Sequence, residues 1–118
     1  QEKEIEVIMD IKDEKIISMD PYLADSLFLN LIKNSIMHNE QKGIIKIDFD
    51  GEVLNIQNSG SKLNFDEDIF KRFVRSSNKD SLGIGLSIVK RICDFYSILI
   101  TYNYDQHHCF KLIFKNDA

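Results

Sequence analysis

With 118 residues, 43% of them hydrophobic and 29% charged, the chain has the length and balance of one folded domain with its own core and is too apolar for disorder. The net charge of −4 argues against a general affinity for nucleic acid. No apolar run approaches the roughly 18 residues of a membrane span, and the opening QEKEIEV lacks the basic-then-apolar layout of a secretion signal, so a soluble domain without direct membrane contact is expected.

Residues 5–11 (IEVIMDI) alternate as a strand does, and Lys15 to Met19 (KIISM) make a second short one. Asp20-Pro21 then announces a helix, because Asp suits the N-cap and Pro suits the first helical position, where its missing N–H costs nothing. This helix should run to about His38 or Asn39, with Leu23, Ala24, Leu27, Phe28 and Leu31 as its buried stripe. Residues 44–50 (IIKIDFD) and 52–57 (EVLNIQ) flank Asp50-Gly51 and predict an antiparallel hairpin. Asn58 to Lys62 breaks the pattern. Leu63 to Leu82, polar with an FKRFV island, reads as a small helix plus a mobile loop.

From Leu86 to Tyr96 the apolar residues Leu86, Ile88, Val89, Ile92, Cys93, Phe95 and Tyr96 take one side of a helical wheel and Ser87, Lys90, Arg91 and Asp94 the other. Residues 98–104 and 108–114 make a closing hairpin, in which His107 and His108 must point to opposite faces and so cannot readily share a metal. Cys93 and Cys109 lack a metal-like spacing and read as reduced core thiols in a cytosolic setting. These elements predict an α+β fold, a two-layer α/β sandwich in which about three helices cover one face of a mixed, mainly antiparallel sheet, with residues 1–118 forming a single domain.

Two features point to chemistry. GIGLSIVK, from Gly83, is a glycine-hinged turn running into a helix, and a helix N-terminus exposes unpaired N–H groups and a positive dipole end suited to phosphates. Asn30 and Asn34 lie four residues apart, about 40° from each other around a helix axis, so their amides face the same way. Asn is a poor residue in mid-helix, and two on one stripe ask for a reason. Two solvent-facing amides, or one capping a loop, is the alternative. Lys71, Arg72, Arg75 and Lys79 supply a local basic patch that suits phosphates.

Taken in order, NLIKNS at 30–35, NSG at 58–60, FKRF at 70–73 and GIGL at 83–86 make the chain resemble the ATP-binding catalytic domain of two-component sensor histidine kinases. In that family the N box, first glycine box, F box and second glycine box follow one another in this order, on a sandwich shared with gyrase and Hsp90. The resemblance implies that Asn34 offers its side-chain oxygen to Mg²⁺, the phosphates supplying most other ligands, as suits a hard cation that keeps several waters. It implies that Asn30 helps position the phosphates. Related ATPases carry a water-activating glutamate there, and an amide, which cannot take the proton, favours transfer over hydrolysis.

Asn58 stands where the family has an aspartate that accepts from the adenine amino group. An amide still accepts through its oxygen, yet it can also rotate to suit guanine, so weaker discrimination of ATP from GTP is expected. Gly60 would let the backbone approach the base, whereas Lys62 replaces the family's second glycine in that box. Leu63, His38 and Leu86 are implied to line the base pocket, and Gly83, Ile84 and Gly85 to receive phosphates. Met37 falls where many relatives place a basic residue, a loss that Arg75 or Lys79 from the lid would offset as cations for the developing phosphate charge. Phe70 and Phe73 would anchor a short lid, Ser76 to Leu82, and equally read as core packing.

The activity so implied is transfer of the γ-phosphoryl group of Mg·ATP to a histidine on a helical dimerisation domain of the same kinase, and from there to an aspartate of a response regulator receiver domain. The chain is then expected to be the excised ATP-binding part of a larger kinase, located in the cytoplasm, whose parent is an inner-membrane sensor. Two other readings stay open: a degenerate nucleotide-binding or regulatory module, with Asn58, Lys62 and Met37 as signs of decay, and a serine kinase of the anti-sigma-factor type.

Overall fold

The computed structural model describes residues 3–62, Phe70 and residues 81–114, with the backbone alone for residues 81–84. In chain order the elements are β1 (Glu6–Ile11), α1 (Pro21–Met37), β2 (Ile44–Phe49), β3 (Val53–Asn58), α2 (Ser81–Phe95), β4 (Leu99–Tyr104) and β5 (His108–Ile113). The strands form one sheet in the order β1-β2-β3-β5-β4, with β1 parallel to β2 and every other pair antiparallel. This is the α+β sandwich expected, with two helices among the described residues. The third expected helix falls within 63–80, which, apart from Phe70, lie outside them.

Register turns the alternation of each strand into rows across the sheet. One row of the helix-facing side reads Ile11, Phe49, Leu54, Leu112, Ile100, and the next Met9, Ile47, Ile56, Phe110, Tyr102. The last row reads Val7, Ile45, Asn58, His108, Tyr104, so the apolar surface turns polar at one end of β3, β5 and β4. The helices cover the centre of the apolar rows. Leu27 and Leu31 from α1 and Leu86, Val89, Ile92 and Cys93 from α2 are buried with Ile56, Phe110 and Leu112.

Asp20 caps α1 as expected, its Oδ1 accepting from the backbone N–H of Tyr22 at 2.9 Å and of Leu23 at 3.3 Å. The other end is closed by a residue that periodicity does not reveal. Lys3 Nζ donates to the carbonyls of Ile36, Met37 and Asn39 at 3.0–3.1 Å, setting a cation at the negative end of the helix. Tyr96 Oη accepts from the backbone N–H of Asp20 at 3.0 Å, tying the end of α2 to the start of α1.

Four expectations need correction. Lys15 to Met19 is not a strand, because β1 already occupies the edge of β2; Ile16 is 99% exposed and only Met19 reaches the core. Helix α2 begins at Ser81, five residues before the expected start, so Gly83, Ile84 and Gly85 lie inside its first turns and not in a turn ahead of it. Packing against α1 outweighs the roughly 1 kcal/mol that a glycine costs in a helix. On the same helix Ile88 and Phe95 face solvent, as does Leu23 on α1, since the buried stripes are narrower than the wheel implied. Cys93 is buried, but Cys109 alternates onto the outer face of β5 and is only half-buried.

Phe110 is the centre of this packing, with its ring 5.0 Å from that of Tyr102 and 6.1 Å from that of Phe70. Phe110→Ala is expected to lower stability by about 3–5 kcal/mol in urea unfolding, whereas Leu99→Ala on the exposed face should change it by no more than about 0.5 kcal/mol.

Candidate functional site

Asn30, Asn34 and His38 follow one another at four-residue steps, about 6 Å apart along the axis, on one stripe of α1. At the start of this stripe Asn30 Nδ2 donates to the Ser26 carbonyl at 2.7 Å and reaches Ser26 Oγ at 3.3 Å, which turns Oδ1 outward toward α2. A Cβ on Gly85 would overlap that oxygen, so glycine is what lets the first turns of α2 approach α1. At the end of the stripe the carbonyl of His38 occupies the space a Cβ on Gly60 would need, and Gly60 has φ +138°, a conformation that side chains resist. One stripe therefore meets the N-terminal end of α2 at Asn30 and the loop after β3 at His38.

Asn34 lies between these contacts and is 3% exposed. Its Oδ1 is buried and accepts no hydrogen bond from the described residues. Leaving such an oxygen unpaired costs about 1–3 kcal/mol, a cost that a bound donor or cation would remove. A neutral, hard oxygen is the donor type that Mg²⁺ takes. Among the described residues no three His, Cys, Asp or Glu side chains are grouped to hold a metal, so a cation at Asn34 would draw its remaining ligands from a bound phosphate and water.

The polar row of the sheet lies beside this stripe. Asn58 is 1% exposed; its Nδ2 donates to the Ser59 carbonyl at 2.7 Å, and its Oδ1 is buried without a partner among the described residues. A rotated amide would set its oxygen against the Ser59 carbonyl, so the flip that the sequence reading allowed is opposed. Asn58 presents an acceptor only, as an aspartate would.

His108, its neighbour in the row, is 2% exposed and stands between Tyr102 Oη, 2.7 Å from Nδ1, and the Ser61 carbonyl, 2.9 Å from Nε2. Tyr104 Oη donates to the Gly60 carbonyl at 3.0 Å. Burial drives the His108 pKa below its ordinary value; the bond to Ser61 opposes this, and His38 and His107 add to it. Burial likewise pushes the Tyr102 hydroxyl up to about 12. His107 lies on the opposite face, half-buried, and the His38 and His108 ring centroids are 6.3 Å apart.

Of the other residues singled out in the sequence, Leu86 is 1% exposed at the seam of the helices, and Phe70 is buried edge-on to Phe110, in the core as one of its two readings required. Gly83 is the third residue of α2, among those whose N–H groups have no acceptor within the helix, while Ile84 is the fourth, the position at which Ala24 in α1 already donates to the N-cap carbonyl, and Gly85 follows it. Leu63, Phe73, Arg75 and Lys79 lie outside the described residues, as do Lys71 and Arg72. Tyr102, Tyr104 and the role of His108 were missed. The signal available was a polar or hydroxyl-bearing residue at the inward positions Asn58, His108 and Tyr104 of the last row, with Tyr102 beside them.

Residues 19–117 match the family described as histidine kinase-, DNA gyrase B- and HSP90-like ATPases. The sensor histidine kinase HprS of Escherichia coli K12 is 30% identical over 118 aligned positions, covering 92% of this chain and 26% of that protein. The sensor histidine kinase CssS of Bacillus subtilis 168 is 29% identical over 108 positions, covering 88% and 24%. The chain thus spans about a quarter of the length of these curated relatives. A nucleotide-free catalytic domain of histidine kinase ThkA superposes with a TM-score of 0.71 at 23% identity, over 92% of this chain and 78% of that one, and shows the same fold. With its sandwich, its Asn30–Asn34 stripe and a match over nearly its whole length, the chain belongs to the family of histidine kinase-, DNA gyrase B- and HSP90-like ATPases.

Proposed function

We propose that the chain binds Mg·ATP and serves as the catalytic part of a sensor histidine kinase, donating the γ-phosphoryl group to a histidine on a helical dimerisation domain, from which it passes to the receiver domain of a response regulator. The observation that carries this is the single stripe of α1 that meets Gly85 at one end and Gly60 at the other, with the unpaired Asn34 and Asn58 oxygens alongside. The kinase names of the relatives support the reaction type.

In this reading the base lies over the polar row, where Asn58 Oδ1 accepts from the adenine amino group and His38 and Leu86 border the ring. The family resemblance would bring Leu63 to the same pocket. The phosphates run along the Asn30–Asn34 stripe toward the first turn of α2, whose leading N–H groups, that of Gly83 among them, have no acceptor within the helix. Asn34 Oδ1 would hold Mg²⁺, which supplies charge neutralisation on the phosphate oxygens when bound. Asn30 fixes the phosphate chain from the side. It also lacks a proton-accepting oxygen of carboxylate strength, so water is not activated there. Arg75 and Lys79 would offer cations as charge develops, and Phe70 and Phe73 would anchor the lid that bears them.

The acceptor imidazole is nucleophilic when neutral, so the contribution asked of this chain is placement and charge compensation more than proton removal. Its nitrogen forms a bond to the γ-phosphorus as the bond to the β–γ bridging oxygen breaks, and ADP leaves. The domain works in the cytoplasm in this account, as part of a membrane sensor. Among the described residues no helix is long and apolar enough to cross a membrane.

Asn34→Ala is expected to weaken ATP binding at least about tenfold when Mg²⁺ is present and to leave the metal-free affinity nearly unchanged, read by calorimetric titration. Equal loss with and without metal would remove Asn34 from the cation site. Competition binding should show ATP preferred over GTP by about tenfold or more, because the Ser59 carbonyl holds the Asn58 amide with its oxygen toward the base. Asn58→Asp should keep that preference and Asn58→Ala should erase it. Gly85→Ala should fold yet bind ATP more weakly, since the new methyl displaces the Asn30 amide.

A further inference from the structure

His108 is a fully buried ionisable side chain beside the site, and the reading above gives it no task. Its surroundings do. The loop after β3 is held to β2 only as far as Ser59, whose N–H donates to the Ile44 carbonyl and whose Oγ accepts from the Ile44 N–H. The next two carbonyls, of Gly60 and Ser61, are instead held by side chains from the far strands, Tyr104 and His108. We propose that Tyr104 and the Tyr102–His108 pair are positioning residues for base recognition, clamping the Gly60 and Ser61 carbonyls and with them the loop that leads away from Asn58. This rests on the nucleotide reading above and extends it to residues outside the four boxes.

The chemistry of the clamp fixes its protonation. A carbonyl only accepts, so His108 Nε2 must carry the hydrogen that meets Ser61; Nδ1 is then an acceptor, and the Tyr102 hydroxyl donates to it. A neutral imidazole closes both bonds without burying a charge. A protonated ring would turn a donor toward Tyr102 and bury a positive charge. Among the described residues the groups facing it are His38 from the end of α1, Tyr102 and Tyr104 from β4 and the neutral Asn58 from β3, with His107 just before β5 and the exposed Lys62 farther along the loop. None of these is a carboxylate that would compensate the charge.

The direction of pH dependence follows. The folded-state pKa of His108 is lowered beneath the unfolded value of about 6.5, so the clamp is intact above that value and is lost as pH falls through the folded pKa. Fold stability should begin to fall near the unfolded value, and nucleotide affinity as pH drops through the lower folded one.

The test is titration of the 118-residue chain with Mg·ATP across about pH 5 to 8. Wild-type affinity should be flat above about pH 6.5 and fall below it. Tyr104→Phe, which removes one donor and keeps the ring, should bind about three- to tenfold more weakly at every pH. Tyr102→Phe removes the hydroxyl that meets Nδ1 in either protonation state and should displace the acid limb, leaving the plateau within about threefold. His108→Gln should flatten the limb. Wild-type binding by Tyr104→Phe, or an acid limb unchanged in both Tyr102→Phe and His108→Gln, overturns the proposal. A nuclear magnetic resonance titration without nucleotide separates the two levels: the His108 ring and the Ser61 and Lys62 amides should share one midpoint, and independent midpoints overturn the clamp itself. A wild-type chain that binds no ATP at any pH overturns the nucleotide reading instead, and the base-recognition role with it.

Discussion

Helix α1 is asked to do two incompatible things along one stripe. Its first half buries Leu27 and Leu31 completely against the sheet, which contributes about 1.5–3 kcal/mol for each side chain. One turn later the same side presents Asn34 and Ser35, equally buried, and Asn34 carries an oxygen that no described group satisfies. Ser35 escapes the cost by donating to the Leu31 carbonyl at 3.0 Å within the helix. The rest of the molecule is arranged around that change of chemistry. The apolar rows of the sheet lie under the first half, and the polar row of Asn58, His108 and Tyr104 lies near the second.

Two glycines make the geometry possible, and for related reasons. Gly85 sits in a regular helix, where glycine is unfavourable, because any larger residue would collide with Asn30; Gly60 combines a close approach to the His38 carbonyl with a left-handed backbone. Both contacts involve α1, one toward the helix layer and one toward the sheet. The boxes of this ATPase family are thus more than a set of ligand contacts. In this chain they are also where α1, α2 and the loop after β3 touch.

Much of this was legible in the sequence where period and turn chemistry agree. Asp20-Pro21 marked the start of α1 to the residue, and the β2–β3 and β4–β5 hairpins followed from alternation around Asp50-Gly51 and Tyr104 to His108. The failures came where tertiary context outweighs local pattern. Lys15 to Met19 alternates like a strand but has no free edge to join, and α2 extends through two glycines because the helix packs against α1. For the site, Asn30 and Asn34 stood out as amides inside a helix, and Asn58 only through its place in the resembled family's first glycine box. Tyr102, Tyr104 and His108 did not, because hydroxyl-bearing aromatics are ordinary in strands and only the register shows that His108 and Tyr104 line up with Asn58, with Tyr102 one row away. Lys3 was invisible for a similar reason, its partners lying more than thirty residues away.

The two buried amide oxygens have a consequence for the resting chain. Neither meets a donor among the described residues, a deficit absent from the unfolded chain, where water reaches the same atoms. A molecule that satisfies them relieves the deficit in addition to whatever its own contacts contribute, so occupancy and resistance to unfolding are linked by mass action. A cell short of nucleotide would therefore hold this domain in its least robust form, the one most open to proteases.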